Sequence, residues 1–307
     1  MKKKMFTSLV FALAFFQLSI TYAQKTWPLY SGQIPNSKNC PDKEHQETSG
    51  RRVVRNVTIP TLSVFLPAKT SGKLPAVIIC PGGGYSNLSI EDGGKAAAKE
   101  FASFGVVAFV LKYRTSNPEC NLNNSYVAFQ DIQEAIKQIK TNANTWIVDS
   151  SRVGVLGFSA GGHLAALASV QYRSKMIASE KTSLRPAFTI LAYPVISFTD
   201  RLSSPKTKTR QNLLGLTPSA EQIHWFSAEE NVDKNTPPAF LVHAGDDSTA
   251  LVGNSLAYYE ALNERKIPAE LIIYQKGGHG FATFNEQEND HWVIRAINWL
   301  KVNKFLL

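Results

Sequence analysis

The chain has 307 residues, 44% of them hydrophobic and 19% charged, with a formal net charge of +9. That length supports one large domain with a substantial core and is short for two. The Lys and Arg residues are scattered rather than gathered into a stripe, which argues against a nucleic-acid partner, and three cysteines are too few for a disulfide scaffold.

Lys2, Lys3 and Lys4 precede an apolar run at residues 5–16 and a small-residue ending, Thr21-Tyr22-Ala23. Residues 1–23 therefore read as a secretory signal peptide cleaved after Ala23. The apolar run is short of the roughly twenty residues that span a bilayer, and no Cys follows the cleavage point. The mature chain, residues 24–307, is expected as one domain, periplasmic or secreted, without a membrane anchor. Export would permit a bridge between Cys40 and Cys120, both in polar loops, whereas Cys80 ends an apolar strand and reads as a small buried hydrophobe.

Residues 27–50 are polar and turn-rich, with Pro28, Pro35 and Pro41, and are expected to lie as an arm on the domain rather than in its core. Residues 52–60 and 61–66 alternate apolar and polar side chains, which predicts an antiparallel pair. The pattern then changes. Ala76-Val-Ile-Ile-Cys80 is continuously apolar, as a strand buried on both faces of a parallel sheet must be. It runs into Pro81-Gly82-Gly83-Gly84-Tyr85, and a helix follows with Ala97, Ala98, Phe101 and Phe104 at helical spacing. Strands and helices alternate from there: residues 106–111, a helix carrying Ile132, Ala135, Ile136 and Ile139, a strand at 153–156, an Ala/Leu-rich helix after Ser159, and a strand at 188–193. Residues 197–235 are charged, contain proline and are weakly periodic, which marks an insertion. The sheet pattern resumes at 239–243, followed by a helix at about 253–265, a strand at 269–274, a glycine-rich loop and a closing helix at about 289–302. This order predicts an α/β fold with a mostly parallel sheet of about eight strands and helices on both faces.

Catalytic groups of a doubly wound sheet gather at the carboxyl ends of its strands. Gly157-Phe158-Ser159-Ala160-Gly161 lies at such an end and has the strand–turn–helix order of a nucleophile elbow. A serine hydroxyl is a weak nucleophile and needs a base. Of six histidines, His279 in Gly277-Gly278-His279-Gly280-Phe281 fits best, because flanking glycines let the loop reach the elbow. His45 lies in the arm, His224 in the insertion and His243 inside a strand, while His163 reads as packed or capped locally and His291 as structural. The imidazolium needs a carboxylate at its far nitrogen, and Asp246 and Asp247 are both placed for this; either also reads as a turn residue in Gly245-Asp246-Asp247-Ser248. Oxyanion donors are expected from the Ala160 N–H and from the Gly83-Gly84 turn. A phosphate cradle is the competing reading of that turn, but it lacks both the Gly-x-Gly-x-x-Gly spacing and a Gly-Lys-Ser/Thr ending. No His, Cys and Asp set at metal-ligand spacing appears, so neither cofactor nor metal is expected.

Trp27-Pro-Leu-Tyr30, Pro81-Gly-Gly-Gly-Tyr85, Leu111-Lys-Tyr-Arg114, Gly157-Phe-Ser-Ala-Gly-Gly-His163, His243-Ala-Gly-Asp-Asp247, Asn254-Ser255 and Gly277-Gly-His-Gly-Phe281 together resemble secreted α/β-hydrolases of the carbohydrate-esterase kind, the acetylxylan esterases and feruloyl-esterase-like lipase/esterases. The resemblance implies an α/β-hydrolase fold and removal of a small acyl group, chiefly acetyl, from a sugar hydroxyl. Such enzymes carry a His-x-Gly-x-Asp-x-x-Val-Pro loop whose fifth residue is the triad acid, which here is Asp247; Ala250-Leu251 stands where Val-Pro is usual. Arg114 and Asp131 also match the group, and a buried ion pair accounts for them equally. Tyr85, Trp225 and Phe226 are candidates for stacking on sugar, with ordinary packing as the favoured alternative. Acceptor specificity is expected from residues 197–235. Two rival functions share the elbow: a prolyl-oligopeptidase-like peptidase, which normally carries a propeller domain for which no repeat exists here, and a non-catalytic hydrolase-like binding protein, whose usual mark is a lost triad member. Oligomeric state is not legible.

Overall fold

A computed structural model of the chain describes residues 24–48, 50, 52–68 and 72–307, and the expected signal peptide lies outside them. In chain order its strands are β1 (Gln24–Pro28), β2 (His45–Glu47), β3 (Val53–Arg55), β4 (Thr61–Phe65), β5 (Leu74–Cys80), β6 (Asn87–Leu88), β7 (Val107–Lys112), β8 (Val148–Phe158), β9 (Thr189–Ala192), β10 (Ala239–Ala244) and β11 (Ala269–Tyr274). The helices are α1 (Ala96–Ser103), α2 (Val127–Thr141), α3 (Ala160–Val170), α4 (Thr209–Leu214), α5 (Ala220–Trp225), α6 (Gly253–Glu264) and α7 (Trp292–Val302).

The continuously apolar stretches take the centre of the sheet because only there are both faces covered. Among the described residues, eight strands pair in the order β1-β4-β7-β5-β8-β9-β10-β11. From β7 to β11 every pairing is parallel, and β4 is antiparallel to both β1 and β7. Val77, Ile78, Val155, Leu156, Ile190, Leu191, Leu241 and Val242 are completely buried. Helices α2 and α3 pack together against β8, and α6 shares a 3₁₀ turn at Ala228–Asn231 with α3. Helices α1 and α7 pack on β7 and β10, and Glu100 Oε1 of α1 is 2.8 Å from Nε2 of His291, the residue that precedes α7. The fold is the expected α/β-hydrolase fold.

The expected pairing of residues 52–60 with 61–66 does not form. β3 joins β2 and β6 in a separate three-stranded sheet, and β4 pairs with β1 and β7 instead. Alternation specifies which face of a strand is buried, not which neighbour it finds. The N-terminal arm is likewise more than a surface strap. Its first residues form β1, Trp27 stacks on Trp146 with ring centroids 4.6 Å apart, and Leu29 is fully buried. A disulfide and a buried arginine are among the contacts that hold the remainder of the arm. Cys40 is disulfide-bonded to Cys120, and buried Arg114 donates to Pro35 O at 2.6 Å while pairing with buried Asp131 at 2.7 Å. The third cysteine, Cys80, is free and buried. Helix α1 ends one residue before Phe104, which is half exposed rather than in the core, and α7 begins at Trp292 rather than near residue 289.

Candidate active site

The elbow is built by crowding. Ser159 joins β8 to α3 with φ 54° and ψ −119°, a conformation that a non-glycine residue holds only when its surroundings impose it. A Cβ on Gly157 would lie 2.1 Å from Gly161 O, and one on Gly161 would lie 2.1 Å from Cys80 O. Neither approach is compatible with any side chain, so both glycines of the motif are steric requirements of packing α3 against β5 and β8. The result lifts Ser159 Oγ to the carboxyl edge of the sheet.

His279 arrives from the loop after β11. Its Nε2 is 2.8 Å from Ser159 Oγ, and its Nδ1 is 2.7 Å from Asp247 Oδ2. Of the two aspartates left open by position, Asp247 meets the imidazole. Asp246 Oδ1 instead accepts the Gly278 N–H at 2.8 Å and fixes the loop that carries His279. Asp247 Oδ1 accepts the N–H groups of Thr249 and Ala250 at 2.8 and 3.0 Å, so the loop is held by its backbone although Val-Pro is replaced by Ala250-Leu251. Burial opposes ionisation of Asp247, but hydrogen bonds from His243 and His279 outweigh it and hold the carboxyl well below the usual carboxylate range.

His243 lies in β10, as the apolar pattern of residues 239–243 predicts, but its ring reaches the same carboxylate. Nε2 faces two acceptors, Ala250 O at 2.8 Å and Asp247 Oδ2 at 3.2 Å, while Nδ1 is 2.8 Å from Ser255 Oγ. Both partners of Nε2 are acceptors, so Nε2 is the donor toward Asp247 and Ala250. Burial of both His243 and Asp247 was the missing signal, and it exists only in three dimensions.

Across the cleft, the turn after β5 carries Gly83 and Gly84. Gly83 has φ 144°, and a Cβ there would lie 1.9 Å from Asn87 O. Gly84 O accepts from Asn212 Nδ2 at 2.7 Å, which ties the turn to α4 of the insertion. Ala160 opens α3, so its N–H is one of the first-turn donors that have no acceptor within the helix. Tyr85 is buried against His163, with its hydroxyl 2.7 Å from Nδ1, and His163 Nε2 is 2.7 Å from Phe226 O. Burial pushes the His163 pKa down to about 4, so this imidazole is neutral and serves as a strut between turn, helix and insertion. Tyr85, Phe226 and Trp225 are thus packing residues; Trp225 sits against Tyr126 and Phe129.

Ser159 and His279 open into a cleft of about 820 Å³ that Gly83 and Gly84 also line. Its aromatic wall is Phe158 and Tyr193, the latter buried at φ 37° with its ring 5.1 Å from that of His279. The rest is largely polar: Glu47, Arg55, Asn87, Asp92, Thr207, Lys208, Thr209 and Asn212. The last four come from the insertion expected to govern specificity. Tyr193 and the β2–β3 residues were not legible as site residues, since nothing in their local sequence relates them to Ser159. Among the described residues, no group of three or more His, Cys, Asp or Glu is gathered for a metal ion, and no helix is long and apolar enough to cross a membrane.

A family model, BD-FAE, matches residues 62–262. The chain belongs to the BD-FAE family. The match runs from β4 through the elbow and Asp247 to α6. This BD-FAE chain is 31% identical to an acetylxylan esterase of Xylanibacter ruminicola over 77% of its length and 47% of the relative's. It is 30% identical to endo-1,4-beta-xylanase B of Butyrivibrio fibrisolvens over 88% of its length and 42% of the relative's. It thus spans less than half of each of these proteins. Among solved structures, an acetyl ester-xyloside bifunctional hydrolase from Caldicellulosiruptor lactoaceticus superposes with a TM-score of 0.74 at 28% identity, covering 94% of this BD-FAE chain and all of the other.

Proposed function

We propose that the chain is an exported serine esterase that removes small acyl groups, acetyl above all, from carbohydrate hydroxyls such as those of acetylated xylan. The reading rests on one observation, the relay of Ser159 Oγ, His279 and Asp247 with contacts of 2.8 and 2.7 Å, opening into a cleft that many polar side chains line. In this reading Ser159 Oγ attacks the ester carbonyl carbon while His279 Nε2 takes its proton. The N–H groups of Gly83, Gly84 and Ala160 hold the oxyanion, and Asp247 stabilises the imidazolium and fixes its orientation. Collapse of the intermediate breaks the bond to the sugar oxygen, which leaves with the proton from His279. Water, deprotonated by the same imidazole, then attacks the acyl-Ser159, and free acid and serine are regenerated.

Polar side chains around the cleft suit hydroxyls of a sugar better than a long acyl chain, which needs an apolar channel. The acetylxylan esterase and acetyl ester-xyloside hydrolase among the similar proteins support the same class of substrate. Export is supported by the Lys2–Lys4 and apolar 5–16 pattern and by the Cys40–Cys120 disulfide, a bond that persists in oxidising compartments. Ser159→Ala is expected to lower p-nitrophenol release from p-nitrophenyl acetate by at least about 10⁴-fold with an unchanged circular dichroism spectrum; retained turnover by that variant rules the assignment out.

A further inference from the structure

His279 has two sides. One faces the cleft shared with Ser159. The other borders a second, open depression of about 480 Å³, formed largely by the loop between Gly277 and Gln287. The two lie side by side, and Asp92, His279, Gly280 and Ala282 line both. A ligand long enough to cross these four residues would touch both depressions.

The second depression is built and held. Asn285 is buried and donates from Nδ2 to Lys276 O at 2.8 Å, Trp292 Nε1 donates to Ala282 O at 2.8 Å, and the Ala282 N–H reaches the Tyr193 hydroxyl at 3.2 Å. These bonds fix a loop that would otherwise lose entropy on binding. On it stands Phe284, 38% exposed in a chain that buries most of its aromatic rings, with exposed Glu286 and Gln287 alongside. Asp92, ion-paired with Arg52, sits at the junction with a half-exposed carboxylate. An aromatic surface flanked by carboxylates and an amide matches a pyranose ring, which has apolar C–H faces and a polar rim of hydroxyls.

We propose that this depression is a subsite for the unacylated main chain of a β-1,4-linked polysaccharide, with Phe284 as its platform and Asp92 accepting sugar hydroxyls where the two clefts meet. The subsite rests on the carbohydrate-esterase reading and deepens it: the substrate is an oligomer lying across the imidazole, not a single acetylated sugar. Phe284 is then a specificity residue that never touches the reacting atoms.

Two measurements test it. Phe284→Ala is expected to raise KM for acetylated xylohexaose about tenfold more than it raises KM for p-nitrophenyl acetate, which is too small to reach the loop. Equal effects on both substrates, or none on either, overturn the subsite. Separately, Ser159→Ala titrated with unmodified xylohexaose is expected to show amide shifts at residues 281–287, reduced about tenfold in affinity by adding Phe284→Ala; no shift there overturns the subsite even if the wild type hydrolyses p-nitrophenyl acetate. Absence of that hydrolysis by the wild type counts against the esterase reading, and the binding titration still decides the subsite.

Discussion

Asp246 and Asp247 are neighbours with the same side chain and opposite tasks. Asp247 is buried, its carboxylate oxygens engaged by two imidazoles and two backbone N–H groups, whereas Asp246 is exposed and accepts one N–H from the His279 loop. Asp247→Asn presents an amide where a carboxylate must face N–H donors, so the His279 tautomer is disturbed; kcat on p-nitrophenyl acetate is expected to fall by about 10⁴-fold. Asp246→Asn keeps an oxygen for Gly278 and is expected to cost no more than about tenfold, the loss of one charge-assisted bond. Steady-state rates of the two variants, side by side, decide the assignment, and a larger loss for Asp246→Asn reverses it. Ser159 and His279 could be singled out in the sequence because glycines on either side announced unusual backbone. Asp247 could not be separated from Asp246 by position, since one peptide unit turns a side chain by an angle that only the folded loop fixes. His243 was invisible as a partner for the same reason.

The insertion is the element that reaches the glycine turn beside Ser159. Its α4 reaches Gly84 through Asn212 and is itself held from behind, where Asn124 Nδ2 and Ser125 Oγ donate to Asn212 O and Leu213 O at 3.4 and 2.8 Å. That supporting loop begins next to Cys120 and is clamped to the arm by the disulfide and by the Lys38 N–H on Cys120 O at 2.7 Å. A crosslink over 80 residues of sequence restricts the unfolded chain substantially. The double variant Cys40→Ser, Cys120→Ser is expected to lose about 2–4 kcal/mol and several degrees of Tm, followed by circular dichroism; an unchanged midpoint removes the bridge from the list of stabilising elements. The strands and most helices of the sheet were legible as elements because each is long and strongly patterned. The pairing of β3 and β4 was not, because it depends on which edges are free after the central sheet has formed.

At the scale of the whole molecule, buried His163 ties the glycine turn, α3 and the insertion together in its neutral form. Its folded pKa of about 4 lies below the value of 6.5 for an open chain, so the unfolded state binds the proton first. The stability it supports is complete above pH 6.5 and is lost as the pH falls towards 4, by about 3 kcal/mol in all. Carboxyls whose pKa is raised by desolvation, among them buried Asp131 and partly buried Glu229, act in the opposite direction, which makes a comparison of two chains necessary. His163→Gln keeps a donor and an acceptor but does not titrate. Urea midpoints measured from pH 7 to 4 are expected to fall more steeply for the wild type than for the variant, and parallel curves exclude His163 as the cause.

By itself the sequence determined the class of the fold, the elbow, the histidine loop and the glycine turn, because each is a local event: apolar runs must be buried, and glycines mark places where no side chain fits. The tertiary structure brings Asp247, the aspartate that the family resemblance implies, to His279, and it alone decided that His243 and Tyr193 lie at the site, that Tyr85 and Phe226 pack rather than line the cleft, and that a second depression lies beside the imidazole. Some of those relations join residues far apart in the chain, as Asp247 and His279 are, and even the near pair His243 and Asp247 meets only through the folded loop. No local pattern encodes them, because they are set by the order in which strands find their neighbours and by the loops that the assembled sheet brings to one edge.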